Sequence, residues 1–134
     1  MANRVDILFS TARFNLSKVG SNFINDCCFG EDLVAWLRDK MFSAGHTADE
    51  PYQEDWGWEV EFRRDSQKYF VGASGISDQD PVRPDYGEWR VFVEHRRSLK
   101  DRLLQRTHDN RLSAEIERLL AAQADFENVR RDDE

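Results

Sequence analysis

Long apolar runs are missing from this chain. No stretch reaches the roughly 18 to 20 apolar residues that a membrane-crossing helix needs, so no membrane partner is expected. The first ten residues hold one arginine and a short apolar stretch broken by Asp6. They lack the apolar core and small-residue cleavage pattern of a secretory signal, and a cytoplasmic location is expected. Histidine is scarce: His46, His95 and His108 fall on different predicted elements, and no His or Cys spacing matches a zinc site. No metal and no cofactor is therefore expected. Cysteine is scarcer still. Cys27 and Cys28 are the only two and they are neighbours. A ring closed between adjacent residues is tight, so both are predicted to be free thiols. Positive charge is also in deficit, with 19 Lys and Arg against 26 Asp and Glu, a net charge of −7. That balance disfavours nonspecific binding to nucleic acid or anionic lipid, which both reward a positive field. It suits solubility, or a partner with a basic surface.

What is present is a core under a charged skin: 40% of the 134 residues are hydrophobic and 34% charged. The length fits one domain. It is expected over residues 1–126, with the charged, apolar-poor end 127–134 fraying. Val5, Ile7 and Phe9 alternate with Asp6, Leu8 and Ser10, the period of a strand, and Ala12, Phe14 and Leu16 extend it as a bend or a hairpin. After a polar loop over 17–29, a helix is predicted from Gly30 to Ala44. Acidic Glu31 and Asp32 stand in its first turn, and an apolar stripe runs through Leu33, Trp36, Leu37, Lys40 and Ala44, flanked by Val34 and Met41. Residues 46–57 read as an acidic connection. Trp58, Val60 and Phe62 then alternate with Glu59, Glu61 and Arg63, and Tyr69–Ile76 reads as the returning strand. Its Gly72, Ala73, Ser74 and Gly75 are too small to fill a core and mark a bulge or a close approach to the backbone. Trp89, Val91 and Val93, alternating with Arg90, Phe92 and Glu94, give the last strand. Ser98 and Asp101 open a helix through Leu99, Leu103 and Leu104, and a second helix carries Leu112, Ile116, Leu119, Leu120 and Gln123. The expectation is an α+β fold in the order β-α-β-β-β-α-α: an antiparallel sheet of about four strands with helices packed on one face.

The most distinctive segment is Glu54-Asp55-Trp56-Gly57-Trp58. Alternation carried back from Trp58 puts Trp56 on the same face as Val60. Either both rings are core, as tryptophan usually is, or they form a recognition rim, where tryptophan is enriched. From His46 to Phe62 there are six acids (Asp49, Glu50, Glu54, Asp55, Glu59 and Glu61) and no Lys or Arg, whereas Arg96, Arg97, Lys100, Arg102 and Arg106 gather later. Such blocks either face water and partly satisfy each other or steer a charged partner. Glu54 and Asp55 make a poor acid–base dyad, because consecutive side chains on an extended chain point apart. A nucleophilic Cys27 or Cys28, activated near the helix start, lacks a recognisable oxyanion loop.

Cys28-Phe29-Gly30-Glu31-Asp32-Leu33, then Trp36-Leu37, then Glu54 to Trp58 and a late Glu94–Leu99 segment together resemble a family of small uncharacterised bacterial proteins, the likeness running from about Phe23 to Leu104. The resemblance implies a bacterial origin and a single domain, and no established activity comes with it. The function expected from the residues is a noncatalytic protein-interaction module, more a binder than an enzyme. Glu54, Asp55, Trp56 and Trp58 are its candidate binding residues and a protein with a basic surface its partner. The alternatives are a small-ligand pocket between helix and sheet near Gly72–Gly75, and a cysteine-dependent enzyme.

Overall fold

The computed structural model describes residues 3–65, 67–96, 103 and 111–132. Strands dominate. In chain order they are β1 (Asn3–Thr11), β2 (Thr47–Ala48), β3 (Tyr52–Glu54), β4 (Gly57–Arg64), β5 (Gln67–Ser77), β6 (Gly87–Arg96) and β7 (Glu127–Arg131). Helix α1 (Glu31–Ser43) follows β1, and helix α2 (Arg111–Ala121) precedes β7. All seven strands form one antiparallel sheet, ordered β2-β4-β5-β6-β1-β7, with β3 also paired to β4. The first strand lies beside the last long one, with Val5 opposite Val93 and Phe9 opposite Trp89.

This corrects the expected four-stranded sheet and its order: the described residues form a seven-stranded, sheet-dominated fold with two helices. The three additional strands escape alternation for physical reasons. β2 and β3 have two and three residues, too few for a two-residue face pattern to repeat even twice, and they sit inside the acidic connection. β7 reads Glu-Asn-Val-Arg-Arg, a charged sequence held by β1's backbone and by ion pairs from Arg130 to Glu88 (3.0 Å) and Arg131 to Glu117 (2.8 Å). Residues expected to fray thus close one end of the sheet. The expected helix through Leu99 and Leu104, the basic residues Arg97, Lys100, Arg102 and Arg106, and His108 lie outside the described residues.

Period-2 alternation decides the two faces. Ile7, Phe9, Val60, Phe62, Val71, Ala73, Trp89, Val91 and Val93 share the fully buried face, where α1 contributes Leu33, Val34, Leu37 and Met41 and α2 contributes Leu112, Ile116 and Leu120. Within the helical stripe read from sequence, Lys40 and Ala44 are exposed and Trp36 is half-buried against Phe14 and Phe126. β1 ends at Thr11, but Phe14 and Leu16 stay in the core. Gly30, the residue before α1, has φ +143°, and a Cβ there would lie 2.9 Å from the Ala73 carbonyl oxygen. Glycine is required where the helix starts this close to β5.

The opposite face carries Arg4, Asp6, Glu61, Arg63, Arg90 and Glu94, with Phe70 and Phe92 among them. Asp6 accepts hydrogen bonds from Arg4 and Arg90, both at 2.7 Å, and Arg90 also reaches Asp132 at 2.8 Å. β2 and β3 take up separate stretches of the same edge of β4, and Asp49, Glu50 and Pro51 stand between them.

Candidate functional site

The β3–β4 hairpin turns through Asp55 and Trp56, with Glu54 opposite Gly57. Because Trp56 belongs to the turn and not to the strand, its ring does not continue the Trp58–Val60 face. The structure separates the two tryptophans. Trp58 is 2% exposed, packs on Phe23 and donates its indole N–H to the Cys28 carbonyl oxygen at 3.0 Å. Trp56 is 41% exposed and rests on the charged face against Phe92, ring centroids 5.1 Å apart in an edge-on arrangement. Gly72 makes this seat. A Cβ there would come within 2.0 Å of the Phe92 ring and 2.5 Å of the Trp56 ring. The small residues of β5 are therefore occupied by rings; Gly75 likewise lies against Trp89 and Leu16.

The six acids of the 46–62 run have different fates. Arg63 bonds Asp49 at 2.8 Å and Glu61 at 2.6 Å, and the bond from Arg63 holds the Asp49 carboxyl below its ordinary value. Glu50 meets Arg38 at 3.3 Å. Glu59, 7% exposed, accepts the Tyr52 hydroxyl; burial and that bond push the Tyr52 phenol above its usual range. Among the described residues Glu54, Asp55 and Glu59 meet no basic side chain within 4.0 Å, and of these three Glu59 is the one satisfied by a tyrosine hydroxyl. Glu54 is half-buried and Asp55 exposed. Of the four residues expected to form a binding surface, three therefore gather at the hairpin tip: Glu54, Asp55 and Trp56. Trp58 does not join them.

Gln53 was not singled out from sequence, yet it fixes the loop beneath the hairpin. Its side-chain oxygen accepts the backbone N–H groups of Ile24 and Asn25 (2.5 and 2.8 Å), and its amide nitrogen donates to the carbonyls of Asn25 and Cys28 (2.8 and 3.0 Å). A lone glutamine in an acidic run gives no signal of such a role. Phe92 did give one, as an aromatic alternating onto the charged face. In the loop that Gln53 holds, Cys27 and Cys28 are joined by a disulfide, sulfur to sulfur 2.12 Å. This corrects the expectation of two free thiols. The hydrogen bonds that Gln53 and Trp58 donate to the Cys28 carbonyl, with those that Gln53 accepts from the Ile24 and Asn25 N–H groups, hold the turn, an organisation that tightness of the ring alone does not anticipate. While bonded, neither sulfur is a thiolate nucleophile.

A cleft of about 610 Å³ lies between α1 and β3, lined by Glu31, Asp32, Arg38, Glu50, Tyr52 and Trp58 among others. The described histidines stay apart. His46 is buried near Glu115 (3.3 Å), and His95 is bonded to Gln67 (2.7 Å). Among the described residues no group of His, Cys, Asp and Glu could hold a metal ion, and no helix is long and apolar enough to cross a membrane. Compared with known protein families, curated proteins and solved structures, the chain matches none.

Proposed function

We propose that this chain is a noncatalytic interaction module that docks a basic segment of another protein on the tip of the β3–β4 hairpin and the sheet face beside it. The observation that carries this reading is Trp56: a large ring seated over Gly72 and Phe92, 41% exposed, next to two carboxylates without a basic partner among the described residues. A partly exposed tryptophan braced by a second aromatic ring is the kind of anchor that dominates binding energy. Uncompensated carboxylates beside it attract a cationic segment and speed its arrival. Surface plasmon resonance with immobilised Lys/Arg-rich peptides tests this. Trp56→Ala should weaken binding by about 2 kcal/mol or more. The double reversal Glu54→Lys, Asp55→Lys should act mainly on the association rate, with added salt muting the difference. Equal binding by all three proteins would refute the reading.

A second reading rests on the cleft between α1 and β3. Its volume falls within the roughly 300–1,000 Å³ typical of small-molecule sites, and Tyr52 and Trp58 supply aromatic surface beside charged groups. A thermal-shift screen of small metabolites, with Arg38→Ala as the control, separates it from the first reading, since Arg38 does not contribute to the hairpin tip.

A further inference from the structure

A disulfide stabilises a fold through chain entropy by an amount that grows with the logarithm of the loop it closes, and the loop closed by two adjacent residues is the shortest there is. The Cys27–Cys28 bond therefore acts on the shape of one turn and not on the stability of the whole chain. What that turn touches is specific. The Cys28 carbonyl oxygen accepts from both Trp58 and Gln53. The Cys28 sulfur lies 3.1 Å from the carbonyl oxygen of Asp55, the residue before Trp56. Cys27 is exposed and Cys28 half-buried, so a dissolved thiolate can reach the pair.

We propose that Cys27–Cys28 is a reversible two-electron redox site whose state sets the position of the Asp55–Trp56 turn. The reductant is a dithiol. Its thiolate attacks the exposed Cys27 sulfur, the Cys27–Cys28 bond breaks, and Cys28 leaves as a thiolate that takes up a proton. The reductant's second thiol loses its proton and attacks its own sulfur in the mixed disulfide, which releases Cys27 as a thiolate to be protonated in turn. In total two electrons and two protons pass to the pair, and the dithiol ends as a disulfide. The chemical difference at the hairpin follows directly. In the bonded state neither sulfur has a hydrogen, so the Asp55 carbonyl meets bare sulfur. In the dithiol state the Cys28 S–H becomes a donor to that carbonyl, and the two sulfurs separate to nonbonded distance. Both changes fall at the Asp55 carbonyl, which belongs to the peptide bond joining Asp55 to Trp56. The consequence for docking rests on the reading of Trp56 as an anchor; the redox step itself does not.

The test needs no binding partner. Full-length protein purified without reductant is alkylated before and after dithiothreitol treatment, and acrylamide quenching of indole emission is followed in each state. The expected result is no modified cysteine before reduction and two after it, reversal by oxidised dithiothreitol, and a shift in quenching on reduction. That shift should vanish in Trp56→Phe and in the double variant Cys27→Ser, Cys28→Ser, whose melting curve reports whether it is folded. Two reactive thiols in the unreduced protein would overturn the proposal, as would quenching in wild type that ignores reduction. A shift that survives Trp56→Phe would also overturn it, because the response would then sit at another tryptophan. If the redox shift is found and basic peptides still fail to bind, the docking reading fails alone.

Discussion

Gly72 shows how much one missing side chain can organise. It faces Phe92 across the β5–β6 ladder, and the absent Cβ lets the Phe92 and Trp56 rings both lie over the backbone. Gly72→Ala forces at least one ring to move. Overpacking of this kind costs about 1–3 kcal/mol, to be read from urea denaturation. Trp56 is the ring with room to leave, so its emission should move toward that of solvated indole, and a variant with wild-type stability and emission would contradict the geometry. Part of this site was legible in advance. A run of small residues announced a close approach, and an acidic Trp-Gly-Trp segment announced something unusual. What sequence could not give was the partner across the ladder, because Gly72 and Phe92 are 20 positions apart in the chain and register is a tertiary fact. Nor could alternation place Trp56, since it holds within a strand and stops at a turn.

Among the elements, α1 was the most legible, expected over Gly30–Ala44 and found over Glu31–Ser43 with Gly30 and Ala44 as its caps. The reason is length: thirteen residues span several turns, enough for an apolar stripe to declare itself. Leu37 lies fully buried at the centre of that stripe. Leu37→Ala should cost about 2–5 kcal/mol, the range for buried large-to-small changes, measured by equilibrium unfolding with two independent probes. Short strands gave no such signal. β3 has only three residues, and its place is set by pairing with β4 and by Gln53 bonding a loop 25 to 29 positions away. β7 carries charges where a strand is expected to carry apolar residues, and its ion pairs to β6 and α2 compensate. The vicinal disulfide was missed for a related reason. Ring tightness is local, whereas the bonds that hold its turn come from β3 and β4.

For the molecule as a whole, the charged sheet face sets the response to acid. Burial raises the Asp6 carboxyl, but hydrogen bonds and charge from Arg4 and Arg90 outweigh it, and the net shift is below the ordinary value of 3.8. A carboxyl with a lowered folded value gives stability that is fully present above its unfolded value and lost as pH falls through the folded one. Stability should therefore hold down to about pH 4 and then decline. Asp6→Asn removes this contribution, so the variant should start less stable at neutral pH and show a shallower loss below about pH 4, followed by denaturant midpoints across that range. An unchanged slope would mean that Asp6 does not couple to folding.

The divided edge of β4 has a consequence for the chain's life in a crowd. An open strand edge invites a foreign strand to add on and pass the same invitation to the next. Here that edge is covered by a two-residue piece and a three-residue piece, separated by Asp49, Glu50 and Pro51, and proline has no N–H to offer. At the far end β7 is five residues long, kinked at Asn128 with φ 57° and ending in two arginines. Among the described residues an incoming strand meets short or interrupted runs of backbone at either end, which disfavours strand addition and with it fibre growth.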